Sequence, residues 1–121
     1  MTEVNVPLLR KALEHITAHP EEWDQTQWAQ QTSCGTACCV AGHVALMTGH
    51  EIDFGRVDVY SEMVTHTTTG RYIEDVARYE LGLTSDQSRI LFDEMNRLPT
   101  LWAYAKHLSN GEITAPPEVS A

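Results

Sequence analysis

From Ala37 to Thr48 the chain reads A-C-C-V-A-G-H-V-A-L-M-T, with no charged residue and little polarity on any face. A helix that is apolar all round has to be covered on every side. This segment is therefore predicted to be a central buried helix, about 37–48, with the rest of the chain packed around it. Ala41, Gly42 and Ala45 are small and let neighbours approach closely. Thr36 is placed to cap the helix and Gly49 to end it.

The flanking segments supply the cover. Asn5 and Pro7 suit a helix start, and Leu8, Leu9, Ala12, Leu13 and Ile16 fall on one stripe that ends before Pro20. Glu21 to Trp23 reads as a short helical turn. Asp24 with Gln27 has capping-box spacing and predicts a short helix carrying Trp28. Gln30 to Gly35 reads as a polar loop. Within 50–70, Ile52, Phe54, Val57, Val59 and Tyr60 fit a short β-hairpin or an irregular loop. Ile73, Val76, Ala77 and Leu81 form another stripe, closed by Gly82. Thr84 and Gln87 form a capping box before Ile90, Leu91 and Met95. Leu101, Trp102, Ala105 and Leu108 make the last stripe, ended by Asn110-Gly111. The expectation is an all-α, mostly helical single domain of about five helices over residues 1–111, with a flexible tail at 112–121.

At 121 residues and 42% hydrophobic composition, the chain has enough material for one core. No stretch approaches the roughly 20 apolar residues that span a bilayer, and Met1 to Asn5 carries no secretory pattern. Three cysteines, two of them adjacent, suit a reducing compartment, so a cytoplasmic location is expected. Seventeen carboxylates against eight Lys and Arg leave a net charge of −9. Such a field repels phosphate backbones and anionic membranes, which argues against nucleic acid and membrane as partners. It suits a partner with a basic surface, or solubility alone.

Four motifs bear on chemistry. Cys34 and Cys38 are four apart and His43 follows, a partial match to a zinc site, with His15 and His19 at i, i+4 able to complete it. The alternative is that the cysteines are core residues. Cys34 precedes a helix start, where a thiolate is favoured, and His43, His50 or His66 would have to serve as its base. Tyr72 to Met95 has the shape of a helix-turn-helix, but six carboxylates against three arginines over residues 72 to 98 disfavour a groove walled by phosphates. Asp53-Phe54-Gly55 matches a kinase tripeptide without the accompanying loops. Of the three tryptophans, two are expected inside, with Trp28 the one partly exposed.

Trp28, Cys34-Gly35-Thr36-Ala37-Cys38-Cys39-Val40-Ala41-Gly42, Ala77 with Leu81-Gly82-Leu83, and Gln87 with Leu91-Phe92 together resemble a group of small uncharacterised proteins of actinobacteria, other bacteria and actinobacterial phages. Their pattern is W…C-G-T-x-x-C-x-A-G-W-A…A-x-x-x-L-G-L…Q-A-x-x-L-F, and the likeness covers about residues 20 to 95. The resemblance implies a compact helical domain and no particular activity. This chain has His43 where the group commonly has tryptophan, which favours a packing or interface role there over metal ligation. The leading expectation is a non-catalytic, acidic, protein-binding protein, phage-encoded and directed at a host or cellular protein, with Trp28 and His43 as interaction residues and no cofactor. A zinc-binding protein using Cys34, Cys38 and His43 or another histidine is the alternative. A thiol-dependent enzyme centred on Cys34 is the third reading.

Overall fold

The computed structural model describes residues 3–32, 35–57 and 63–114. Among these, five α-helices carry a mostly-α fold: α1 (Val6–Ala18), α2 (Val40–Met47), α3 (Ile73–Leu81), α4 (Ser85–Leu91) and α5 (Leu98–Leu108). A 3-10 turn covers Pro20–Glu22, and β1 (Gln30–Thr32) pairs antiparallel with β2 (Gly35–Ala37). None of the helices is long and apolar enough to cross a membrane.

The centre is α2, as its all-round apolarity requires. Val40, Ala41, Gly42, His43, Val44 and Ala45 are all buried, covered by α1 and α3. Leu9, Ala12, Leu13 and Ile16 face it from α1, and Ile73, Val76, Ala77 and Leu81 from α3. Leu101, Trp102 and Ala105 of α5 close the core, and the Trp102 indole donates to Thr17 Oγ1 (3.0 Å).

Local chemistry sets the helix ends. Asn5 Oδ1 accepts from the Leu8 amide. Thr84 and Gln87 form a complete capping box. Gly82 ends α3 in the left-handed region at φ 70°, where only a residue without Cβ is unstrained.

Four expectations need correction. First, α2 begins at Val40, not near residue 37, and its cap is Cys39, not Thr36. The reason is backbone pairing: residues 35–37 are spent on β2, the Cys38 amide donates to the Glu22 carbonyl, and Cys39 N donates to Gln27 O (2.8 Å). Gln30–Thr32 and Gly35 are correspondingly in paired strands, not in a plain loop. Second, Asp24 does not start a helix. Its carboxylate accepts from both the amide and the hydroxyl of Thr26, making a local turn, which competes with helix formation. Third, α4 stops at Leu91, so Ile90 and Met95 do not extend a buried stripe; Met95 is 81% exposed. Fourth, Ile113 is fully buried in the core, so the body runs past the boundary expected at Gly111. Residues 115–121 lie outside the described ones. In 50–70, isolated antiparallel bridges join Ile52 to Thr67 and Val57 to Val64 without a continuous ladder among the described residues.

Candidate functional site

The segment from Glu22 to Trp28 is a strap, turned at Gln25 and Thr26, laid across the N-terminal end of α2. Asp24 N donates to Cys38 O, and the Cys38 and Cys39 amides donate to the carbonyls of Glu22 and Gln27. The strap explains Gly42. A Cβ at that position would collide with the Trp28 carbonyl oxygen and lie 2.6 Å from Cys38 Cβ. Glycine in a helix interior costs about 1 kcal/mol relative to alanine, so α2 gives up propensity to let the strap pass.

Gln25 is the strap's anchor, and sequence reasoning missed it. It is buried, and its amide uses its full capacity. Oε1 accepts from the Trp23 indole (3.0 Å) and from the Val40 amide (3.4 Å). Nε2 donates to the carbonyls of Leu91 (3.2 Å) and Asp93 (3.1 Å). One side chain thus caps the first turn of α2 and ties it to the end of α4. A glutamine in a polar stretch carries no local signal of such a role.

The two described thiols lie on the inside of this arrangement. Burial pushes the Cys38 thiol up to about 12, with its neighbour Cys39 adding to the effect. Burial pushes Cys39 up to about 12 as well. Neither is a thiolate near neutral pH, so neither is a ready nucleophile. Cys34, the third member of the expected zinc set and the centre of the expected thiol enzyme, lies outside the described residues. In a Cys34→Ser variant, the native protein should leave both remaining thiols unlabelled by Ellman's reagent near neutral pH. Both should react once denaturant is added. Rapid native labelling of either would refute their enclosure.

His43, expected as an interaction residue, is only 4% exposed and cannot reach a partner. Its Nε2–H donates to the Glu22 carbonyl (2.6 Å), which assigns the tautomer because a carbonyl only accepts. Burial lowers its pKa. It is packing, and it also holds the strap. The proposed bases are engaged elsewhere: His50 Nε2 lies 3.4 Å from Glu80 Oε2, and His66 Nδ1 lies 2.9 Å from Thr65 Oγ1.

His15 and His19 are where helical spacing places them, on successive turns of one face, with ring centroids 4.8 Å apart. His15 Nε2 donates to Glu22 Oε1 (3.1 Å), and this bond holds the Glu22 carboxyl below its ordinary value. Two histidines therefore meet the 3-10 turn, not the cysteines.

Two clefts remain. One, about 260 Å³, is lined by Trp28, Met63, Phe92 and Glu94 among others. Trp28 is half-buried there, its ring edge-on to Phe92 at 6.2 Å. Trp102 is buried and Trp23 half-buried against the core, in keeping with two tryptophans mainly inside. The other cleft, about 480 Å³, runs along α3 and is lined by Arg71, Tyr72, Asp75, Arg78, Tyr79 and Leu83, with Gly70 and Gly82. Tyr72 and Tyr79 are 56% and 71% exposed. Tyr72 is stacked on His66 with centroids 4.2 Å apart. Arg78 pairs with Asp75 at 3.4 Å. Arg56 borders the same edge, since a Cβ on Gly70 would sit 3.8 Å from its guanidinium. A signal for this site did exist: Tyr72 and Tyr79 are seven apart, two turns along α3, and both fall off the buried stripe of Ile73, Val76, Ala77 and Leu81.

Compared with protein-family models, with curated proteins and with solved structures, the chain matches none.

Proposed function

We propose that this protein works by binding another protein, without catalysis, and that the α3 cleft is its docking face. The observation that carries the reading is the pair of exposed tyrosines flanked by arginines. Tyrosine and arginine are enriched at the energetic centres of interfaces, and a tyrosine loses little conformational freedom on binding. Leaving two large aromatic side chains in water at helical spacing has no benefit for the core, which is complete without them.

Charge defines the partner. Arg56, Arg71 and Arg78 are three of only eight basic residues in a chain of net charge −9. A partner that presents a carboxylate or carbonyl to this arginine edge and basic residues around it would match both the local and the overall field. The raised and shielded thiols of Cys38 and Cys39 favour a non-catalytic reading over a thiol-based one.

The test uses the immobilised chain and a lysate of the cell in which it is made, followed by binding measurements with the retained protein. Tyr79→Ala should weaken the complex by roughly 30-fold or more, as expected for a hot-spot residue. Glu94→Lys, on the rim of the Trp28 cleft, should leave it nearly unchanged. The reverse pattern would move the interface to the Trp28 cleft, and full affinity in both variants would remove both faces.

A further inference from the structure

The last turn of α1 and the 3-10 turn that follows bring three potential metal ligands together, His19, Glu21 and Glu22, with His15 beside the last of them. Among the described residues, His19, Glu21 and Glu22 have ligand atoms that all lie within 4.8 Å of one another. His19 Nδ1 is 3.5 Å from Glu21 Oε1 and 3.7 Å from Glu22 Oε2. The other oxygen of Glu22 is 3.1 Å from His15 Nε2. The Glu22 carboxylate therefore lies between the two imidazoles.

These separations carry geometric information. Zinc binds imidazole nitrogen and carboxylate oxygen at about 2.0–2.2 Å in a tetrahedron. The edge of such a tetrahedron is roughly 3.4 Å. The two contacts of His19 Nδ1, 3.5 and 3.7 Å, lie close to that value. Both carboxylates come from a turn whose course is fixed by Pro20 directly after the helix.

The geometry points to a surface site for a divalent transition-metal ion, zinc-like in ligand preference, held by His19, Glu21 and Glu22 and completed by water, with His15 hydrogen-bonded to the other oxygen of Glu22. It differs from a thiolate site in using only nitrogen and oxygen, and it shares no residue with the α3 cleft. Binding would clamp α1 to the strap, because the Glu22 backbone carbonyl already receives the Cys38 amide and the His43 imidazole. An ion bound only by the folded state raises its stability by mass action.

The experiment is a titration of the full, reduced chain with Co²⁺ and Zn²⁺, read by visible absorption and by thermal melting. The expected result is one equivalent of Co²⁺ with ligand-field bands of a low-coordinate site and no thiolate charge-transfer band, displaced by Zn²⁺, together with a rise in Tm. His19→Ala and Glu22→Gln should each weaken binding at least about tenfold and abolish the rise in Tm. Both side chains are substantially exposed, so these variants should fold. Absence of stoichiometric uptake would overturn the site. So would undiminished affinity in His19→Ala, or a thiolate charge-transfer band that disappears in Cys34→Ser.

Discussion

Gly42→Ala should unfold this protein more readily than any other single-methyl addition in α2. The added Cβ would occupy the space of the Trp28 carbonyl oxygen and crowd Cys38 Cβ at 2.6 Å. Neither is the free end of a flexible side chain. Trp28 O belongs to the strap, whose backbone is pinned by the bonds from Cys38 and Cys39, and Cys38 Cβ sits one bond from that same backbone. Helix propensity alone would favour alanine by about 1 kcal/mol. The steric term opposes it and should win by about 3 kcal/mol, the upper end of overpacking costs. A fall in Tm on the order of 10 °C is expected. Gly49 supplies the control. It lies at φ 88° with nothing within 4 Å, so Gly49→Asn should cost little, since asparagine tolerates that conformation. A Gly42→Ala melt superimposable on wild type would mean that the strap does not cross α2 as described.

The second large effect should come from Gln25. Leucine at this position fills similar volume but offers no donor or acceptor. The Trp23 indole and the Val40 amide lose an acceptor, and the Asp93 carbonyl loses a donor. The Leu91 carbonyl keeps the Asn96 side-chain amide at 3.0 Å, the Asp93 carbonyl keeps the Asn96 backbone amide at 3.1 Å, and both suffer less. Leaving buried polar groups without partners costs about 1–3 kcal/mol each. Trp23 can recover water because it is half-exposed. Gln25→Leu should therefore destabilise by about 3 kcal/mol in all. Gln25→Glu separates polarity from geometry. It keeps the acceptor but turns a carboxylate toward two carbonyl oxygens in a chain of net charge −9, and it should be at least as damaging. Urea unfolding with an unchanged m-value and a lower midpoint is the expected readout. A midpoint unmoved by either substitution would show that the amide's four bonds contribute nothing net.

The contrast between these two positions shows what was legible beforehand. Periodicity and caps depend on residues within one or two turns, and they located α1, α3 and α5 with their buried stripes and α4 by its capping box. The burial of α2 followed from its lack of any polar face. Its start did not, because Ala37 to Cys39 pair with residues 22–27 and with β1, partners that no local pattern names. Asp24 with Gln27 and Thr84 with Gln87 have the same spacing, yet only the second is a capping box. Asp24 turned its carboxylate to Thr26 because the following residues are held by the strap.

The functional surfaces were less legible still. His43 was expected to pack or to meet a partner because it stands where the resembling proteins commonly have tryptophan; of the two, packing is found, and a carbonyl on the strap receives its proton inside. Trp28 was expected to be partly exposed and is half-buried beside a cleft. The expected cysteine–histidine pairing did not form at Cys38. His15 and His19 instead meet carboxylates only a few residues onward, an encounter created by the turn at Pro20.

The core draws on both ends of the described chain. Arg10 reaches the Glu112 carbonyl (3.0 Å), the Asn5 amide bonds the Leu81 carbonyl (2.8 Å), and α1 packs against α5. A ribosome adding 5–20 residues per second would take roughly 5–20 s to travel from α1 to Ile113. Throughout that interval the greasy side of the first helix lacks part of its shelter. The nascent molecule is thus vulnerable to sticking until its final helix emerges, and expression conditions that slow elongation late in the message should lower the soluble yield.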